Sequence, residues 1–530
     1  MMITHYADSV FSLLPPLTAV ALAIATRRVL LSLGAGIIVG ALLLTQGNPL
    51  DAAQYIGSTL SGIFWQSGAL NQNNVCILLF LLLLGCMISL MTISGATRAF
   101  TDWARRYIRT RKQAKKLTGL MVFLFFIDDY FHSLSVGTIC RPLTDRFKIS
   151  RAKLAYLLDS TAAPVCVLMP ISSWGAYIIA LIGGIVAAHG LTGQSALSVF
   201  AQMVPMNFYA VFTLLMVLFV VLMEYDFGPM KQHEQRALEG ELYDPAKGTP
   251  PGASQDLPVS EKGRVRDLLV PIAILTFGTI VFMLLSGAKA LDEQELGFSI
   301  LGALQNTNVG ISLVFGSLAG LASAIILMLP QRQSLNNWLL ALREGVGSML
   351  PAIWILLGAW CIGSVIKDTQ TGQYLASMAQ HSVPTALLPA LVFILSGIMA
   401  FSTGTSWGTF GIMLPIAGDL AAASDIAQML PMLSAVLAGS VFGDHCSPIS
   451  DTTILSSTGA SCHHIDHVMT QLPYALTVAT IALTGYLVLG ITQSTAIGFA
   501  TCAALFIVLC ITLRLHSIRR KSNLNLADAE

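Results

Sequence analysis

"VFGDHCSPISDTTILSS" (residues 441–457) sets two carboxylates, Asp444 and Asp451, beside His445, Pro448 and a run of serines and threonines in a chain that is otherwise apolar. Of the 530 residues, 55% are hydrophobic and 11% charged, whereas soluble domains carry about 25% charged residues. The composition describes an all-α polytopic membrane protein, with many apolar runs near the ~20 residues that span hydrocarbon. An ionised acid at mid-bilayer costs at least ~2.5–3.5 kcal/mol on insertion scales, so a cluster of acids inside such a chain points to function. The net charge of +1 points to no partner beyond the lipid bilayer, and no nucleic acid is expected. The nine cysteines lie mostly in apolar runs without metal-like spacing and read as small core residues.

The first apolar run, 11–25, has no basic stretch before it and reads as a span rather than a cleaved signal. Further runs fall near 29–46, 75–94, 203–223, 267–286, 310–329, 345–366, 470–490 and 494–513. Lysine and arginine mark cytoplasmic loops. They place Arg27 and Arg28 inside, the lysine- and arginine-free loop 47–74 outside, and the basic stretch 98–116 inside. Residues 117–140 are flanked by that stretch and by a second basic one, 141–153, which a single crossing would leave outside. A re-entrant hairpin keeps both flanks inside, with arms reaching ~15 Å and Asp128 and Asp129 at the tip. Residues 154–189 read as one helix broken at Pro164 and Pro170, and 225–266, with five prolines and many charges, as a flexible cytoplasmic linker.

The second half repeats the plan with the opposite sense. Residues 368–513 hold no lysine or arginine, a second hairpin near 388–415 opens outside, and a broken helix near 430–460 crosses inward. Arg514, Arg519, Arg520 and Lys521 then fall inside. An offset of 273 aligns Ser133 with Ser406 and Pro142 with Pro415; an offset of 284 aligns Pro164 with Pro448. The expected organisation is a first inverted repeat (1–224), the linker (225–266), a second repeat (267–493) and an extra C-terminal span with a tail (494–530). It makes about 11 crossings in all, with the N-terminus outside and the C-terminus cytoplasmic. Inverted repeats with broken helices meeting at the midplane are a transporter architecture.

In that frame the opening stretch has a purpose. Pro448 interrupts a helix, and the freed carbonyls survive in a membrane only when buried in protein or lining a watery cavity. Asp444, Ser450, Asp451 and Thr452 add hard oxygens that suit a small cation, and a carboxylate that holds a cation can hold a proton instead. Asp159, Ser160 and Thr161 precede Pro164 as Asp444 and Ser447 precede Pro448. The tips 126–133, with His132, and 401–408, with Thr403, Thr405 and Ser406, close the site from either side. His445 is a candidate proton relay, while Trp174 and Trp407 read as packing and Arg141 as a cytoplasmic anchor. "CHHIDH" (462–467) reads as a solvated cytoplasmic loop, although its spacing resembles a metal cluster on paper.

"FGDHCSPISDTTILSS" and "STAAPVCVLMPISSWGAYI" resemble the signature stretches of the NhaC-type Na+/H+ antiporter family, and "DDYFHSLSVG" is similar to the family's first hairpin. The resemblance covers the core of both halves, roughly 75–220 and 340–490. It implies secondary active exchange of Na+ for H+ in an ion-transporter-superfamily-like fold, without a resident cofactor or a metal beyond the transported Na+, in an assembly that is often a homodimer. Related members exchange organic acids or amino acids with coupled cations, so a Na+- or H+-coupled antiporter of a small carboxylate or amino acid is the competing reading. That alternative needs a cationic or helix-terminal anchor, for which Arg141 is the nearby candidate. An intramembrane hydrolase, whose acids would have to meet at a water-filled cut site, is disfavoured; the protein is expected to be a carrier of the cytoplasmic (inner) membrane and not an enzyme.

Overall fold

Apolar runs opened by a single capping side chain account for many of the helices. Asn48, Ser150, Asn207, Asn308, Ser334 and Ser450 each accept a backbone N–H from the first turn that follows, as an N-cap does. The computed structural model describes the chain except residues 1–3, 27, 67, 122–124, 127–128, 171, 190–195, 253–258, 296, 372–373, 375–383 and 528–530.

The chain opens with α1 (Leu14–Thr26), α2 (Val29–Leu44) and α3 (Pro49–Phe64), followed by a two-residue antiparallel ladder of β1 (Trp65–Gln66) with β2 (Ala69–Leu70). The stretch read as an outer loop, 47–74, is therefore largely helical. Its α3 folds back on α2 with a 120° bend and buries Ala52, Tyr55 and Ile63. Next come α4 (Gln72–Ile93), α5 (Ala96–Tyr107), α6 (Arg111–Leu120), α7 (Asp129–Arg146), α8 (Arg151–Leu168), α9 (Ser173–Ala188), α10 (Ala196–Met203) and α11 (Phe208–Met223). The connector holds α12 (Pro229–Glu239), and the later part holds α13 (Arg266–Glu293), α14 (Ile300–Gln305), α15 (Val309–Met328) and α16 (Leu335–Asp368). The chain finishes with α17 (Leu388–Thr403), α18 (Ser406–Ser424), α19 (Met429–Cys446), α20 (Asp451–Gly459), α21 (His464–Thr492) and α22 (Thr495–Ala527). Among the described residues seven helices are long and apolar enough to cross a membrane, or up to nine if each bent pair is one span.

Two segments leave a region of the molecule and return to it. Arg111, at the start of α6, donates to Glu234 at 2.9 Å, and the Ser150 amide, just beyond α7, donates to the same carboxylate at 2.8 Å. Gln428, after α18, donates to the Gly490 carbonyl at 3.2 Å, while Gly490 packs on the Ala386 carbonyl that precedes α17.

Two helices are interrupted. The first break, at Met169–Ser172, follows α8, and Ser172 Oγ satisfies the freed carbonyls of Cys166 and Met169 at 2.6 and 2.8 Å. Pro164 lies inside α8 and does not break it, so Asp159–Thr161 sit mid-helix rather than at a half-helix end. The second break, Ser447–Ser450, separates α19 from α20 and contains Pro448. Ser447 Oγ donates to the Phe401 carbonyl at 2.7 Å, His464 Nε2 lies 2.8 Å from the Pro448 carbonyl, and Ser450 caps the Thr453 amide at 3.1 Å.

Residues 225–252 are folded, which corrects the expectation of a flexible linker. The reason is a set of single charged anchors among the prolines, described below. Packing between helices relies on small residues, which let membrane helices approach closely. Cβ atoms built at Gly439 and Gly443 of α19 would overlap the carbonyls of Phe393 and Gly397 on α17. This contact carries Asp444, next in sequence, up to the Gly404 turn. Gly443→Val is expected to force the two helices apart, at about the 1–3 kcal/mol of an overpacked core. A lower melting temperature of the detergent-solubilised protein checks it.

Candidate functional site

Asp159 lies on α8, Asp444 ends α19 and Asp451 opens α20, and side chains of α20 bond the other two acids. Asp159 and Asp444 are wholly buried and Asp451 is 6% exposed. Asp451 opens α20 and uses both oxygens: Oδ1 accepts from the Thr452 amide at 2.8 Å and Oδ2 from the Tyr130 hydroxyl at 2.5 Å. Asp444 ends α19, and its Oδ2 accepts from Ser406 Oγ at 3.0 Å and Thr452 Oγ1 at 3.2 Å. Its Oδ1 is buried with no hydrogen-bond partner. Thr452 therefore joins the two acids, through its amide to one and its hydroxyl to the other, and Ser450 Oγ lies 3.0 Å from that hydroxyl.

Asp159 is held differently. Its Oδ2 accepts from Thr453 Oγ1 at 3.0 Å and Gln471 Nε2 at 2.6 Å, with His467 Nε2 at 3.1 Å, and its Oδ1 accepts from Ser456 Oγ at 3.3 Å. All four groups come from α20 and α21. Gln471 also donates to the His445 carbonyl at 3.0 Å, tying α21 to the end of α19. Asp159 is thus a saturated junction between helices, whereas Asp444 keeps an oxygen open.

The other predicted residues distribute around this centre. Thr161 Oγ1 donates to the Leu157 carbonyl at 2.6 Å and lies 3.0 Å from His132 Nε2, while Ser160 donates to Gln471 at 3.4 Å. Neither of these hydroxyls reaches a carboxylate. Asp128 lies outside the described residues. Asp129 accepts from the Trp174 indole at 2.9 Å, so Trp174 is a hydrogen-bond donor as well as packing, set edge-on to Trp407 with ring centroids 6.0 Å apart. The His445 ring is turned to the Tyr209 hydroxyl, 3.1 Å away. Arg141 bonds Ser461 Oγ and the Gly252 carbonyl rather than Asp159, Asp444 or Asp451. The "CHHIDH" stretch is not a solvated loop: Cys462, His464 and His467 are buried, and α21 begins at His464. Among the described residues no group of histidines, cysteines or acids is arranged to hold a metal.

A cavity of about 590 Å³ reaches this centre from one end of the molecule. Asp451 lines it together with Asn74, Ser364, Lys367, Thr403 and Thr405. Asn74 stands in the first turn of α4, so the cavity opens at that end of the helix. Tyr130, His467, Gln471 and Lys367 were not foreseen. Helical spacing links His467 to Gln471, one turn apart on a single face, and that was the available signal once the stretch is read as a helix.

These features describe a multi-pass membrane protein, and its relatives point to a transporter. Residues 165–491 match the model of the Na+/H+ antiporter family, and the chain belongs to that family. It is 49% identical over 515 residues, 97% of each chain, to an uncharacterised protein of Haemophilus influenzae. Over 155 residues it is 30% identical to an uncharacterised Na+/H+ antiporter of the same organism, covering 28% of this chain and 32% of that one. Over 161 residues it is 32% identical to a malate-2H+/Na+-lactate antiporter of Bacillus subtilis, again covering 28% and 32%.

The two kinds of carboxylate should separate in stability measurements. Asp159→Ala leaves its donors buried and unsatisfied, at ~1–3 kcal/mol for each, and should lower the melting temperature strongly. Asp444→Asn removes a buried charge with an open oxygen and should leave it near the wild-type value. Thermal unfolding in one detergent reads both.

Proposed function

We propose that this protein exchanges Na+ for H+ across the cytoplasmic membrane by alternating access, with Asp444 and Asp451 as the carboxylates that hold either ion. The observation that carries the reading is the open Asp444 oxygen, fully buried and joined through Thr452 to a second acid that lines a cavity. Two acids bridged in this way, one wholly buried and the other 6% exposed, repel each other unless a cation or a proton sits with them. A small hard cation is met there by carboxylate and hydroxyl oxygens of the kind hard cations take. Occupancy by Na+ or by H+, but not by both, then couples the two fluxes.

In this reading Ser406, Thr452 and Ser450 supply neutral oxygens, and Tyr130 fixes the Asp451 carboxylate. Asp159 with His467 and Gln471 positions α20. The basic run 98–116 sets the face bearing α5, α6 and the connector in the cytoplasm. The cavity then faces outside, and the N-terminus with it. The breaks on either side of the acids, in α8–α9 and α19–α20, belong to two repeats of opposite insertion.

A second reading is favoured by the cavity itself. A volume of about 590 Å³ is far more than one cation fills, and Lys367 and Asp368 stand at its lining with Trp360. An ammonium and an aromatic face suit a small carboxylate-bearing metabolite, which would travel with the cation held at Asp451; the malate and lactate relative is named for such cargo.

Everted vesicles with a pH-sensitive dye test the proposal. Na+ should drive proton movement in the wild type, and Asp444→Asn or Asp451→Asn should each lower its rate by at least about 100-fold, the loss of a group on which the coupled step depends. Wild-type rates in both variants would end the proposal. Lys367→Gln separates the readings: it should spare Na+/H+ exchange and abolish carboxylate uptake if the larger cargo is carried.

A further inference from the structure

We propose that residues 225–252 form a strap that seals the face of the transporter opposite the cavity, and that this strap must detach in each transport cycle. The inference rests on the alternating-access reading and adds the element that gates its second side.

The connector crosses both halves of the molecule and is bonded to each. On the first half, the Glu234 carboxylate receives Arg111 at 2.9 Å, Lys115 at 3.2 Å and the Ser150 amide at 2.8 Å. Lys148 Nζ donates to the Leu238 carbonyl at 2.9 Å, the Arg151 amide donates to that of Leu242 at 3.0 Å, and Lys153 pairs with Asp226. On the second half, Tyr474 donates to Asp226 at 3.1 Å and accepts from the Phe227 amide at 3.2 Å, with the two rings 4.1 Å apart. Lys247 Nζ holds Asp466 at 2.5 Å. Burial pushes the Asp226 carboxyl up, and the ammonium groups of Lys153 and Lys115 more than reverse this and hold it below its ordinary value.

The strap ends on the helix that carries the site. Gly252, with φ of 73°, lies flat against the Thr458 carbonyl in the last turn of α20, where any Cβ would overlap that oxygen. Its own carbonyl accepts from Arg141 at 2.6 Å, and Arg141 also bonds Ser461 just beyond α20. Farther on, the Ser260 amide donates to the Ile93 carbonyl at 2.8 Å. Ile93 ends α4, and Asn74, at the other end of that 22-residue helix, lines the cavity. Asn74 and Ile93 therefore stand at opposite ends of α4, while the nine residues of α20, ~13 Å at ~1.5 Å per residue, separate Asp451 at the cavity from the strap. The short helix α20 presents Asp451 to the cavity at one end and lies under the strap at the other.

This arrangement fits one state of a two-state carrier, open to the cavity side and closed on the strap side. Exposing the acids to the other side requires a path past the C-terminal end of α20, and Gly252, Arg141 and the Lys247–Asp466 pair stand across it. Because α8, α20 and α21 are already joined at Asp159, the strap lies across one packed group of helices, and opening that path means parting Gly252 from Thr458 and Lys247 from Asp466.

The test is a reversible lock. Lys247→Cys and Asp466→Cys, introduced together into the full chain, are joined with a short bifunctional methanethiosulfonate in proteoliposomes; each single variant treated alike controls for native cysteines. The locked protein should lose Na+/H+ exchange by about tenfold or more and regain it on reduction. Deuterium exchange of peptides 226–252 and 454–461 should slow together by about tenfold, while that of the cavity-lining turn 401–408 is unchanged. Exchange at the unlocked rate with the strap joined, or peptides 454–461 that ignore the lock, would overturn the proposal. A protein that shows no Na+/H+ exchange before locking overturns the function reading instead, and the deuterium pattern still decides the strap. The charge exchange Lys247→Glu with Asp466→Lys gives a second measure without cysteines. Either change alone should speed deuterium uptake in 226–252, and the pair should restore protection; protection unmoved by the single changes would again overturn it.

Discussion

The break at Ser447–Ser450 frees backbone groups in a place where water is scarce, and nearly every polar contact of the site follows from meeting them. In hydrocarbon an unsatisfied backbone group costs several kcal/mol, so α19 cannot stop at Cys446 unless other elements supply partners. His464 answers the Pro448 carbonyl, Ser447 ties the break to Phe401, and Ser450 caps the helix that restarts. The restarted helix, α20, then projects Asp451, Thr452, Thr453 and Ser456 in its first two turns toward three different neighbours. A polar cluster is tolerable in this position because almost every member of it is hydrogen-bonded. The Asp444 oxygen without a partner is one of several such buried atoms, with ring nitrogens of His132, His445 and His467, and differs from them in belonging to an acid bridged to a second acid.

The three buried acids show how one residue type can serve two ends. Asp159 meets three hydroxyl or amide donors and an imidazole, so its charge is spread into a rigid junction of α8, α20 and α21. Asp444 and Asp451 share the smaller donor set of Ser406, Thr452 and Tyr130, and Asp451 lines a cavity. Saturation favours a fixed charge, and an open oxygen favours an exchangeable ion. The close approach of α17 and α19 through Gly397, Gly439 and Gly443 sets the spacing on which this division depends.

Much of this was legible in the sequence because charge inside an apolar run has few innocent explanations. Asp444, Asp451, Ser450, Thr452 and Ser406 come together as the polar stretch implied, and Pro448 does interrupt its helix. Pro164 misled, since a proline without its N–H can sit inside a helix when the local packing accepts the missing bond. His467 and Gln471 were hidden because a stretch dense in histidine reads as surface until it is seen to begin a helix. Tyr130 was masked by its neighbours Asp128 and Asp129. The connector was misread because proline and glycine count toward flexibility in a local window. Its anchors, Asp226, Glu234 and Lys247, are single residues whose partners lie elsewhere in the chain. Lys367 falls just beyond the apolar run 345–366, where nothing local marks it as a cavity residue, and it lines the cavity.

The account stands on one exchange, a cation for a proton at the Asp444–Asp451 pair. The most direct measurement is proton release on addition of Na+ to the purified protein in weakly buffered detergent solution, with heat of binding followed in parallel. Na+ should bind and expel protons from the wild type, and Asp444→Asn should do neither. Na+ binding without proton release, or release that persists in Asp444→Asn, would contradict it.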